Sequence, residues 1–166
     1  MLELTKQKAL VVMVSHNAEM HGKEPKPISY IKLAMVVSND VLSFFDGGMK
    51  AAFYKKDPEK KQEELLAGQL TLLKFPKIQP FDYDYKGAGF TFILHYGIDG
   101  KSDITLGDCR IDSFKFEMQQ GGSVLMKFKI GCHPDDLQSG RLDKMIKQHF
   151  EITLIPPDED QQQNAA

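Results

Sequence analysis

The most regular alternation in the chain spans residues 110–132. Phe114, Phe116 and Met118 fall on one side, with Lys115 and Glu117 on the other. Beyond a Gln-Gln-Gly-Gly turn, Val124, Met126, Phe128 and Ile130 alternate with Lys127 and Lys129. A period of two on both sides of a glycine turn predicts a β-hairpin with one face in a core and the other in water. Between Leu106 and Phe114 the inward phase slips through Cys109 and Ile111. One or two β-bulges near Gly107 and Asp112 account for the slip.

Residues 8–16 are apolar on both faces, which predicts a strand covered on both sides. Residues 15–27 are polar and punctuated by Gly22, Pro25 and Pro27, so they read as a long loop. A second strand follows over 28–37, with Ile31, Leu33, Met35 and Val37 inward and Tyr30 and Lys32 on the other face. Ser38-Asn39-Asp40 offers a helix N-cap, and helical structure is expected over 40–54, interrupted at Gly47-Gly48. A charged stretch leads into a short helix over 59–67. Short strands follow at 70–75 and 81–85, and a hairpin joins 90–96 to 104–111. His133-Pro134-Asp135-Asp136 opens a helix over 134–149, and a last strand at 151–155 ends at Pro156-Pro157. Residues 158–166 have nothing to bury and read as a disordered acidic and polar tail. These elements predict one β-rich domain over 1–157. Its class is α+β, mainly antiparallel β, arranged as a sandwich or a strongly bent sheet with two to three short peripheral helices.

With 42% apolar residues among 166, one core suffices. The balance of 21 Lys and Arg against 23 Asp and Glu excludes a surface that is basic all over, and with it indiscriminate duplex binding. Two cysteines, Cys109 and Cys132, fit free thiols in a reducing compartment. The apolar run 9–14 is too short to span a bilayer. Together these features predict a soluble, cytoplasmic protein with no membrane partner.

Candidate chemistry is sparse. His16, Glu19 and His21 offer three metal ligands within six residues, but not at the helical H-E-x-x-H spacing, and the fourth ligand would have to come from His95 or His133. A solvated loop is the simpler reading, so no metal and no cofactor is assigned. Both cysteines lie in predicted strands, where burial leaves a thiol inert. There is no G-x-S-x-G, and the glycines at 87–89 and 121–122 do not open a phosphate-binding helix. Asp82, Asp84, Asp99, Asp103, Asp108 and Asp112 read as strand surfaces and turns. The expectation is a non-enzymatic protein, with a metal-dependent activity of His16, Glu19 and His21 as the alternative.

Several stretches carry a resemblance: HNAEMHGKEPKP, SNDVLSFF, LKFP, GKSDITLGDCRI, GGSVLMKFKI, the His-Pro-led helix and the final Pro-Pro. Over about residues 11–157 the chain resembles a family of uncharacterised proteins from tailed bacteriophages and prophages. The family supplies no catalytic residue or ligand to carry over. The resemblance implies origin: a phage protein working in the host bacterial cytoplasm, associated with early-region recombination and defence-interference genes. Asp46-Gly47-Gly48 departs from the Asp-Pro that relatives tend to have, and bears only on how the two short helices join.

Two binding functions follow. The first is binding of single-stranded nucleic acid, as in recombination or replication, which needs lysines to track phosphates and aromatic rings on which bases stack. Its residues are Lys115, Lys127 and Lys129, extended by Arg110, Tyr83 and Tyr85. Asp82, Asp84 and Glu117 interrupt that set. The second is an inhibitor or adaptor that grips a host protein, presented on a compact β scaffold with a long loop at 17–27. Oligomeric state is left open.

Overall fold

A computed structural model of the chain describes residues 1–59 and 69–158. Among the described residues nine strands form in chain order: β1 (Leu4–His21), β2 (Glu24–Ser38), β3 (Tyr54–Lys55), β4 (Leu72–Leu73), β5 (Phe81–Tyr83), β6 (Gly87–His95), β7 (Ile104–Met118), β8 (Ser123–Cys132) and β9 (His149–Ile155). A 3-10 turn (Asn39–Phe44) and two short α-helices, α1 (Met49–Phe53) and α2 (Asp136–Asp143), complete the described chain. Every pairing is antiparallel.

The main sheet closes on itself in the order β7-β6-β9-β1-β2-β8, with β8 returning to β7. The protein is a six-stranded barrel, not a sandwich or an open bent sheet. Alternation along a strand reveals which side faces a core but not which strand lies alongside, so closure is invisible until register is known. The bulges expected near Gly107 and Asp112 are present. Pairing slips between β6 and β7 opposite Leu106 and Cys109, and again between Asp112 and Lys115 where β7 meets β8. Asp108 and Ser113 take positive φ there, 50° and 59°. The two bends let one long strand pair with β6 along its first half and with β5 beyond it, while β8 runs along its other edge.

Phe90, Phe92, Phe114, Phe116 and Phe128 fill the barrel together with Ile31, Leu33, Met126 and Ile130. One end is covered by the 3-10 turn, α1 and the β3–β4 ribbon. Phe45 enters there edge-on to Phe114 and Phe116, at 4.9 and 5.0 Å between ring centroids. Ser38 caps the turn by accepting from the Asp40 N–H, as its sequence predicts. The other end is covered by α2, whose Asp135 and Gln138 form a reciprocal capping box. The helix expected over 134–149 stops at Asp143. Past it the backbone turns to pair with the bulge in β1, Lys147 N–H donating to Val11 C=O at 2.7 Å.

The largest departure concerns residues 15–27, which form a β-hairpin arm and not a loop. Register continues from Asn17 opposite Ile28 to His21 opposite Glu24. Gly22, at φ 66°, is the first residue of a two-residue turn, the position where a II′ turn calls for glycine. Pro25 and Pro27 are tolerated because β8 pairs with β2 only from Ser29 onward. The Pro27 carbonyl accepts from His133 on that side, so its missing N–H faces an edge with no partner strand. Strands 70–75 and 81–85 shorten to β4 and β5. The helix expected at 59–67 falls almost wholly outside the described residues, as does the tail from residue 159. No helix among the described residues is long and apolar enough to cross a membrane.

Candidate nucleic-acid interface

The outward face of β7, β8 and β2 is built in cross-strand rows. Lys115 lies opposite Lys127, which lies opposite Ala34. In the next row Asp112 faces Lys129, and Lys129 faces Lys32. A third row runs Arg110, Gly131, Tyr30. The four cations predicted from sequence therefore share one surface, joined by Lys32. Lys115 has Asp82 at 3.5 Å and Lys129 has Asp112 at 3.5 Å, both solvent-accessible pairs worth about 0–1 kcal/mol. Lys127 and Lys32 have no ion-pair partner among the described residues.

Tyr83 and Tyr85 do not join this face. Register places Tyr83 opposite the buried Phe114, so its ring follows the core side of the sheet. Both tyrosines pack edge-on against Phe45, at 5.7 and 5.3 Å, and burial raises the Tyr85 pKa. Tyr30 is the aromatic among the lysines, with Lys129 Nζ 4.7 Å from its ring centroid. The sequence put Tyr30 and Lys32 on one outward face; what it lacked was the register that sets Lys32 beside Lys129.

The root of the arm packs against this surface. A Cβ on Gly131 would lie 3.2 Å from Tyr30 Cε1 and 3.7 Å from Ile28 Cδ1, so the glycine admits both side chains. Ile28 is 2% exposed although it faces away from the barrel interior. Farther along, Glu19 accepts from the Arg110 guanidinium. That bond holds the Glu19 carboxyl below its ordinary pKa and raises that of Arg110.

The proposed metal trio does not converge. His16 faces the opposite side of β1 from Glu19 and His21, bonded at 2.8 Å to both Ser29 Oγ and Asp143 Oδ1. His21 approaches Glu19 at 3.5 Å. His95 is taken up by Asp103 and Thr153, and His133 by Pro27. No cluster of three or more metal-ligating side chains occurs among the described residues. Cys109 and Cys132 are buried and unpaired, their thiols pushed up by desolvation to about 11 and about 12. At neutral pH both stay protonated and unreactive. No family model, curated protein or solved structure matches the chain.

Proposed function

We propose that the protein is a non-enzymatic binding module that holds single-stranded nucleic acid on the outward face of β7, β8 and β2. One observation carries this reading: Lys115 opposite Lys127 and Lys129 opposite Lys32 are two directly opposed like-charged pairs in neighbouring rows. Like charges in that position destabilise a sheet, and the solvent-accessible pairs with Asp82 and Asp112 offset this only in part. A polyanion lying across the rows turns the repulsion into attraction. Tyr30 supplies the stacking surface that single-strand binding needs. Phage origin and a place in recombination or replication, in the host cytoplasm, belong to the same proposal and draw on the family resemblance.

The host-protein reading draws on a different feature. Met20, Ile98 and Leu137 are 64%, 107% and 74% exposed, and all belong to elements at the α2 end of the barrel. The test separates the two readings. Replacing Lys32, Lys115, Lys127 and Lys129 with Gln abolishes oligonucleotide binding in fluorescence anisotropy while the thermal melt stays cooperative. Oligonucleotide affinity equal to that of the unaltered protein would move the site elsewhere.

A further inference from the structure

A cleft of about 690 Å3 opens beneath the curled β1–β2 arm, within the size range of small-molecule sites. Glu19 of the arm and Tyr30 just past its root form one wall; Gly87, Gly89, Asp108 and Arg110 belong to the facing strands. Arg110, Tyr30 and Lys129 belong both to this cleft and to the lysine rows, so the two are one continuous surface. The charged side chains in its lining are matched three to three: Glu19, Asp108 and Asp112 against Lys86, Arg110 and Lys129. A chain of phosphates gains little from such a lining, whereas a base that donates hydrogen bonds fits it.

Asp108 stands apart in this set. Glu19 is engaged by Arg110, and Asp112 by Lys129 and Ser113. Asp108 is exposed, and its carboxylate has no hydrogen-bond or ion-pair partner among the described residues. The bulge holds it at φ 50°, a conformation that Asp adopts more readily than most residues.

We infer that the cleft receives one base of the bound strand, with Tyr30 as its stacking surface and Asp108 as the acceptor for an exocyclic amino group. The Glu19–Arg110 pair holds the arm over it. On binding, the base replaces the Lys129 ammonium against the Tyr30 ring, and that lysine turns to the neighbouring phosphate. The inference rests on the single-strand reading above and adds base preference to it. Cytosine offers an N4 amino donor to a carboxylate where thymine places a carbonyl oxygen; the thymine donor, N3–H, lies one atom further round the ring and out of line with an acceptor set for N4.

Anisotropy with oligo(dC) and oligo(dT) of about a dozen nucleotides tests this. Oligo(dC) is expected to bind about five- to tenfold more tightly. Asp108→Gly suits the positive φ and removes the acceptor, so it should bring the ratio to about one. Tyr30→Leu keeps a cover over Ile28 but loses the ring, and weakens both oligonucleotides with little change in salt dependence. Equal affinity for the two oligonucleotides, with binding still lost in the four-lysine variant, overturns the base pocket and leaves the single-strand reading intact. A preference that survives Asp108→Gly also overturns it. Absence of any oligonucleotide binding at low salt removes both.

Discussion

Two outer faces of the same barrel treat charge in opposite ways. On β6, β9 and β1, Lys8 lies opposite Glu151, and Glu151 opposite His95. His95 is fully engaged there: Nδ1 lies 2.9 Å from Asp103 and Nε2 2.7 Å from the Thr153 hydroxyl, which also accepts from the Lys6 N–H. On β7, β8 and β2 lysine faces lysine, twice. The first face compensates its charges within the chain, as a solvated strand surface does. The second pairs Lys115 with Asp82 and Lys129 with Asp112 but leaves Lys127 and Lys32 without an ion-pair partner among the described residues. A charge run on a strand is thus ambiguous until the residue across the ladder is known.

The largest effect is expected from making the second face resemble the first. Lys127→Glu sets an acid opposite Lys115, so it should stabilise the fold by about 0.2–1 kcal/mol and weaken oligonucleotide binding by more than about tenfold. Chemical denaturation and anisotropy on one preparation read both. A variant that loses stability and keeps its affinity would show that the lysines serve the fold. Next in size is Gly131→Ala, which crowds Tyr30 and Ile28 at the root of the arm. Overpacking of this kind costs about 1 kcal/mol, measurable as a lowered denaturation midpoint with the slope retained.

The smallest effect is on the compensated face. The hydrogen bond from His95 is the main cause that lowers the Asp103 pKa, with the Tyr96 N–H contributing. A carboxylate depressed in the folded state adds stability above its unfolded pKa of about 3.9, and that stability is lost as pH falls through the folded value. Asp103→Asn should therefore melt at a lower temperature than the unaltered protein near neutrality, and the two curves should converge as the pH falls through the lowered folded-state value. Parallel curves across that range would mean that the Asp103 carboxylate is not engaged.

Much of this was legible in the sequence, for physical reasons. Phe114, Phe116, Met126 and Phe128 declared the core side of β7 and β8 because a strand repeats every two residues. The phase slip at Cys109 and Ile111 declared the bulges for the same reason. Register was hidden, and three readings turned on it. Pro25 and Pro27 suggested a loop because sequence does not tell which edge of a strand is free. Tyr83 and Tyr85 alternate as surface residues would, yet β5 pairs beside Phe114 and Phe116, so their side is the core side. Lys32 and Tyr30 were placed outward but not beside Lys129, since only the β2–β8 ladder brings them together.

The central claim, that the opposed lysines await a polyanion, is tested most directly by the salt dependence of single-strand binding. Each phosphate contact on a single strand contributes about −0.7 to the log–log slope of affinity against salt, so Lys32, Lys115, Lys127 and Lys129 together predict about −3. Each single Lys→Gln replacement among the four should flatten the slope by about 0.7. A wild-type slope near zero, or no binding at low salt, would contradict the account.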